Sequence, residues 1–324
     1  MNETGKGWRR LLRFFEFLTI APFKIRKIVA REKPDMVIAE RTTSFGYLAA
    51  AAGVHPSAIA QQGITDLYPP GSMLIPVKRF LQQTAFKKAT LIHAWGPVMI
   101  QSMQDAHVDM AKVLTMPKGI DLRRFTFSPP DASNAIPIKV IVTRSLTPDY
   151  RHDIILQAAA LIKSRGVHIE WILVGGGFLQ EELEQLSVSL GVQDIVTFTG
   201  RIHNHDLPAM LQQSLLYVSM PVSEGVSSSL FEAMAAGCYP LVTDLPGNRS
   251  WIEHKKNGRL IPLNNAEALA QEIVDIAAIP ESIFASIFAN RSFVEKHASF
   301  ETNMKIIADK YHELIDTKAS INQL

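Results

Sequence analysis

The chain has 324 residues, 47% of them hydrophobic and 20% charged, which suggests two globular domains, each with its own core. A formal net charge of +2 gives no argument for a nucleic-acid partner. The single cysteine, Cys238, excludes a disulfide within the chain. Its place between Gly237 and an apolar run predicts a buried, inert thiol and a reducing compartment.

The chain opens with Lys6, Arg9, Arg10 and Arg13, followed by an apolar run from Phe14 to Phe23. Glu16 interrupts that run, no small-residue cleavage site follows it, and Lys24, Arg26 and Lys27 restore the positive charge. These features argue against a signal peptide and for a cytoplasmic chain. No segment has the ~20 uninterrupted apolar residues of a membrane span. Residues 8–32 instead read as a basic amphipathic helix with Trp8, Leu11, Leu12, Phe15 and Leu18 on one face and a break expected at Pro22. Such a helix either packs on a sheet with its cations in water or lies on an anionic membrane surface.

Beyond Pro34, strand-like runs at Met36–Ala39, Ala58–Gln62, Thr90–Ala94 and Val113–Met116 alternate with helical stretches at Ser44–Ala52, Val77–Lys88 and Val98–Ala106. That alternation predicts a parallel sheet covered by helices. His93 ends the third of these strands, either as a satisfied core histidine or facing a site. The turn formers from Ser128 to Pro137 form a linker, so a first domain is expected over 1–129 and a second over 130–301.

The second domain repeats the β-then-α pattern. Strands are expected at Lys139–Thr143, Glu170–Val174, Ile195–Thr199, Leu216–Ser219 and Tyr239–Thr243, with helices at Asp153–Arg165, Gln180–Leu190 and Leu207–Gln213. This is the pattern of a doubly wound, Rossmann-like α/β sheet, whose ligand sits beyond the carboxyl ends of the strands. Arg144 follows the first of these strands, placed to hold a diphosphate bidentately, and Arg151 is the next cation along. Gly175-Gly176-Gly177 follows a strand but lacks the full dinucleotide fingerprint. Gly200 and Arg201 end the next strand. His203 and His205 have no third ligand at suitable spacing, so no metal is expected.

The stretch from Met220 to Pro246 carries the most chemistry. Ser227, Ser228 and Ser229 are N-cap residue types, and Leu230, Ala233 and Met234 follow at helical spacing up to Gly237. A helix beginning there presents unpaired N–H groups and a positive dipole end, which suit a phosphate. Glu224 and Glu232 flank that end and can face one crevice in front of the serines. Ser229-Leu230-Phe231-Glu232 is also a capping box, in which Glu232 would only return a hydrogen bond to the cap.

Taken whole, Glu224-Gly225-Val226-Ser227-Ser228-Ser229-Leu230-Phe231-Glu232 and its exit A-M-A-A-G-C-Y-P-L-V-T-D resemble the donor site of retaining nucleotide-sugar glycosyltransferases of family 4. These have the two-domain GT-B architecture. P-D-M-V-I-A-E-R-T-T-S-F-G-Y from Pro34, M-P-K-G-I-D-L-R-R-F from Met116, and the closing helices from Arg291 onward resemble that family too. The resemblance implies transfer of a sugar from a nucleotide-diphosphate donor to a glycan or lipid-linked acceptor, with retention of configuration and with neither metal nor other cofactor. It implies that Glu224 orients the sugar and Glu232 accepts ribose hydroxyls. Arg144, Arg151 and Ser227–Ser229 would take the diphosphate, while Gly175, Gly200 and Arg201 approach the rest of the donor. On the acceptor side it implies roles for Gly63 and Asp66. Gln62 stands where several members of the family have histidine.

It further implies that a C-terminal helix, 302–324, packs back on the first domain. That domain is expected to lack the family's opening strand and glycine-rich loop. About four parallel strands would remain, with an apolar edge for a partner chain to cover. Two other readings of the chain are a sugar-nucleotide epimerase and a non-catalytic subunit dependent on a partner transferase.

Overall fold

The computed structural model describes residues 4–63, 74–130 and 137–321. The chain divides into two units, Met1–Pro117 with Met304–Leu324, and Lys118–Asn303. The division falls after Pro117 rather than at the expected 129/130 boundary because Ile120 and Phe125 are buried in an apolar cluster of the second unit. Ser128 N also donates to Ala236 O at 3.1 Å.

The first unit opens with α1 (Thr4–Glu32), which runs unbroken through Pro22. Proline cannot donate to the carbonyl four residues back, and here the hydroxyl of Tyr47 donates to that carbonyl, Leu18 O, at 3.5 Å. The packed face differs from the expected one. Phe14, Phe17, Leu18, Ala21 and Pro22 are half-buried or buried, with the Phe17 ring 5.6 Å from that of Tyr47. Leu12 and Phe15, expected on the packed face, are 53% and 55% exposed; the side chains of Trp8 and Leu11 lie outside the described set.

Four strands follow: β1 (Val37–Glu40), β2 (Ser57–Gln61), β3 (Leu91–Ala94) and β4 (Val113–Thr115). They pair in parallel in the order β1-β2-β3-β4, with α2 (Tyr47–Ala52), α3 (Ile75–Lys88) and α4 (Ile100–Asp105) between them in sequence. β2 and β3 are wholly buried, as central parallel strands are. β1 is an edge strand with Ile38 half-exposed.

The second unit is a six-stranded parallel sheet of β5 (Ile138–Thr143), β6 (Ile169–Val174), β7 (Val196–Gly200), β8 (Leu216–Ser219), β9 (Tyr239–Thr243) and β10 (Arg259–Ile261). Their order is β10-β9-β8-β5-β6-β7, so the direction of winding reverses between β5 and β8. Side chains alternate between the two faces. Val140, Val142, Leu216, Val218, Tyr239 and Leu241 enter one core, with α5 (His152–Ser164) and α10 (Ala266–Ala278). Ile141, Tyr217 and Val242 enter the other, with α8 (Ser228–Ala236) and α11 (Phe284–His297). The helix α10, for which the sequence offered no expectation, completes the first core through Leu269, Ala270 and Ile273. α6 (Gln180–Ser189), α7 (Leu207–Gln212), α9 (Pro246–Arg249) and α12 (Phe300–Ile321) complete the helices used below. Cys238 is fully buried, and burial pushes its thiol up, as an inert cysteine requires.

His152 begins α5 and is 2% exposed, and both ring nitrogens lack a hydrogen-bond partner among the described residues. Burial pulls it down to about 4, with Asp153 opposing and the Arg144 cation reinforcing. Below the ordinary value of about 6.5 the unfolded chain binds this proton and the folded chain does not. Stability is therefore complete above that pH and is lost as pH falls toward 4. Urea midpoints taken across this window should show His152 costing roughly 3 kcal/mol. His152→Leu should flatten that slope; an unchanged slope would assign it to other groups.

Candidate functional site

The site is built where the winding of the second sheet reverses, between the carboxyl ends of β5 and β8. Such a point leaves two loops diverging from adjacent strands and a gap between them. β5 delivers Arg144 to one side of the gap. β8 delivers Ser219, then the loop bearing Glu224, then the start of α8.

Arg144 joins these parts. Its Nε donates to Ser219 Oγ at 3.0 Å, and its Nη2 donates to Glu224 Oε2 at 2.5 Å and to Ser227 Oγ. The guanidinium also lies 5.0 Å from the centre of the Tyr150 ring. The Arg144 and Glu224 side chains are only 11% and 14% exposed. At that burial each charge depends on the other and on the surrounding hydroxyls.

Two glycines permit this arrangement. A Cβ on Gly175, whose φ is +145°, would lie 2.3 Å from Arg144 O. A Cβ on Gly247 would lie 2.2 Å from Glu224 O. Any side chain at either position would displace the main chain of a site residue.

Ser227 is the observed N-cap of α8. Its φ of −96° and ψ of 107° are extended, and its Oγ accepts from Leu230 N at 3.3 Å. The capping box expected from Ser229 to Glu232 is therefore not formed: Ser228 and Ser229 are already helical, and Glu232 lies beyond the box position. Ser228 and Ser229 begin the helix, where N–H groups have no intrahelical acceptor, and the dipole adds positive potential. Gly225 and Val226, half-exposed, lead into this end.

Glu232 is half-buried in α8 and makes no hydrogen bond or ion pair among the described residues. Burial pushes its carboxyl up, while the cations of Arg124 and Arg144 pull the other way. The unit thus has two acids of different standing. Glu224 is engaged by a guanidinium, and Glu232 holds its acceptor capacity in reserve.

The remaining candidates scatter. Arg151, in the left-handed region with a φ of 45°, is held by Asp153 through bonds of 2.9 and 2.8 Å and by Asn264 Oδ1. It does not join the Arg144 cluster. Gly200 ends β7, and its carbonyl accepts from Gly175 N at 3.0 Å. The Arg201 side chain packs over Gly176. His203 and His205 stack with ring centres 5.5 Å apart, His205 beside Asp206. No group of three metal-ligating side chains occurs among the described residues.

In the first unit, Gln62 donates to Glu40 Oε2 at 2.5 Å. Gly63 has open space around it, and Asp66 lies outside the described residues. His93 is fully buried with Nε2 2.8 Å from Met116 O, which is the core-histidine geometry. Ser219 and Tyr150 take part in the site without a motif to mark them. Ser219 carried one available signal, as the last residue of a strand that precedes the acidic loop.

Residues 126–283 match the family model for Glycosyl transferases group 1, and residues 7–94 match that for Glycosyl transferase 4-like. The chain is 25% identical over 275 residues to a putative colanic acid biosynthesis glycosyltransferase, WcaL, of Escherichia coli, covering 82% of this chain and 65% of that protein. It is 26% identical over 212 residues to a GDP-mannose-dependent alpha-(1-6)-phosphatidylinositol monomannoside mannosyltransferase of Mycobacterium tuberculosis, covering 60% of this chain and 54% of that one. The chain therefore spans only about half to two thirds of these relatives. Among solved structures it resembles Anabaena HepE in complex with UDP, with a TM-score of 0.77, 19% identity, and coverage of 90% of this chain and 82% of that one. It also resembles sucrose-phosphate synthase of Thermosynechococcus elongatus, with a TM-score of 0.77, 17% identity, and coverage of 94% and 79%.

The Arg144–Glu224 pair yields a stability test. Arg144→Ala should destabilise by about 3–5 kcal/mol, because it leaves a buried carboxylate without its cation. Adding Glu224→Gln to that variant should recover a large part of the loss. Urea unfolding of the two single variants and the double variant measures the coupling, and additive losses would mean that the pair does not hold the site together.

Proposed function

Since the chain carries group 1 and 4-like glycosyltransferase segments in a GT-B fold, we propose that it is a retaining transferase. It would move a sugar from a nucleotide-diphosphate donor to a glycan or lipid-linked acceptor. The observation that carries this reading is Arg144, fixed by Ser219, Glu224 and Ser227 beside the open N-terminus of α8.

Breaking the glycosidic bond places negative charge on the departing diphosphate. A fixed guanidinium and a helix N-terminus stabilise that charge without reorganising as it develops, which is the largest contribution most active sites make. In this reading Glu224, tied to Arg144, orients the sugar. Glu232 supplies acceptor capacity for hydroxyls. The names of the relatives favour an acceptor of this kind: colanic acid biosynthesis for the E. coli protein, and phosphatidylinositol monomannoside for the mycobacterial one. The UDP held by HepE favours a nucleotide donor.

The donor reading is tested by a thermal-shift screen of UDP-, GDP- and ADP-sugars. One class should raise the melting temperature, since a ligand at 100 times its Kd adds about 2.7 kcal/mol. Product analysis with that donor should show transfer with retained anomeric configuration. Stabilisation by none of the three overturns the reading, and conversion of the donor alone to an epimer replaces it.

A membrane-facing role for α1 follows from the same reading. Leu12, Phe15 and Phe23 are each more than half exposed, and Arg9, Arg13, Lys24 and Lys27 are exposed on the same helix. Apolar side chains set among cations suit the surface of an anionic bilayer. Among the described residues no helix is long and apolar enough to cross one. Co-sedimentation with anionic vesicles should occur at low salt and weaken as ionic strength shortens the screening length to about 8–10 Å. Indifference to vesicles at every salt concentration would remove the membrane from the proposal.

A further inference from the structure

Between the segment that follows α9 and the helix α11 lies a cavity of about 500 Å³, within the range of about 300–1,000 Å³ that holds small molecules. No residue of the Arg144 cluster lines it. Its walls include Trp251 and Phe293, whose ring centres are 6.4 Å apart. Two buried polar atoms of its lining residues, Trp251 Nε1 and Asn290 Oδ1, have no hydrogen-bond partner among the described residues. Asn290 is only 1% exposed. Its Nδ2 donates to Asn257 O at 2.8 Å. A carbonyl only accepts, so this bond fixes the orientation of the amide and leaves Oδ1 as the unpaired atom. Asn257 in turn donates to Trp251 O at 3.0 Å, so one residue ties the two walls together. Buried polar groups are costly to leave unpaired.

The charges at the mouth are already matched. Arg249 donates to both oxygens of Asp244 at 2.6 and 2.8 Å, and Lys256 Nζ lies 2.9 Å from Glu253 Oε2. The groups left over are a neutral donor and a neutral acceptor. We propose that this cavity is a saccharide-binding site, separate from the donor site, that takes a neutral sugar ring. Such a ring lays an apolar C–H face against an aromatic wall. Its hydroxyls both accept, here from Trp251 Nε1, and donate, here to Asn290 Oδ1. A fatty chain would leave both atoms unpaired, and a phosphate could bond only the indole N–H. The Trp251 ring also meets that of Phe231 edge-on at 5.1 Å, so the bound sugar would rest on an indole that packs against α8. The choice of a saccharide among hydroxyl-bearing ligands rests on the glycosyltransferase reading above.

Titration with the methyl glycosides of glucose, galactose, mannose and N-acetylglucosamine, beside glycerol as a polyol without a ring, tests the site by tryptophan emission and ligand-observed NMR. At least one glycoside should bind wild type and change the emission, and glycerol should do neither. Trp251→Phe keeps an aromatic wall but removes the donor. It should bind that glycoside about two- to tenfold more weakly, the loss of one neutral hydrogen bond, and should lose the emission change. Ala289→Arg, at an exposed helical position lining the cavity, leaves the buried groups in place, blocks the mouth and should abolish binding. Failure of every glycoside to bind wild type overturns the site. Equal binding by wild type and Ala289→Arg puts the sugar elsewhere and overturns it too. So does a response to glycerol equal to that of the sugars, since no ring face is then being read. The thermal response of Ala289→Arg to nucleotide sugars keeps this inference apart from the donor reading. A wild-type response with glycoside binding lost supports two separate sites. Loss of both together puts the glycoside in the donor site and overturns this inference alone. Glycosides that bind wild type and not Ala289→Arg, in a protein that no nucleotide sugar stabilises, overturn the donor reading alone.

Discussion

A guanidinium buried in protein must find acceptors, and the acceptors of Arg144 come from three separate places: the end of β8, the loop that follows it, and the cap of α8. Each partner lies far along the chain, 75 to 83 positions from Arg144. One side chain therefore fixes the relative positions of a strand end, an acidic loop and a helix N-terminus. Its cost of desolvation is offset only while all three remain in place. The loops around it have little freedom to drift, and the close approaches at Gly175 and Gly247 follow from the same constraint.

Around that fixed point the second unit separates satisfied groups from unsatisfied ones. Arg144 and Glu224 are committed to one another and to hydroxyls. The first turn of α8 and Glu232 hold capacity in reserve, and they lie on the same helix. A protein interior seldom leaves buried polar groups without partners unless a ligand or ordered water supplies them. The committed pair holds a strand end, a loop and a helix cap together, and the reserve is the capacity that a donor would engage in the proposed reading. This division is what electrostatic preorganisation requires, since donors held in place before charge develops need no rearrangement when it does.

The first unit answers to a different constraint, the coverage of apolar surface. β2 and β3 are fully covered, while β1 lies at the sheet edge. α1 divides its apolar residues between a face packed toward Tyr47 and a face left in solvent. The helix survives an internal proline because a tyrosine hydroxyl from α2 takes up the carbonyl that the proline abandons. A helix with two apolar faces is wider in its demands than one packed on a single sheet. The cations beside the second face define the kind of surface that would meet it.

What the sequence determined by itself was local and periodic. Alternation of apolar runs specified the parallel strands, turn formers and glycines punctuated them, and the three serines at 227–229 placed a helix start beside two acids without saying which of them caps it. Burial of Cys238 followed from its apolar neighbours. Tertiary structure decided the matters that depend on distant partners. Arg144 and Arg151 are the same residue type in one loop, but Asp153 captures Arg151 two residues away while Arg144 reaches across the sheet. Glu232 fits a capping box on spacing alone, and only the actual start of α8 at Ser228 rules that out. Pro22 reads as a helix breaker until Tyr47, in another helix, supplies the missing hydrogen bond. Spacing along a chain reports backbone geometry, whereas the partner of a long charged side chain is chosen by whichever acceptor the fold brings within its reach.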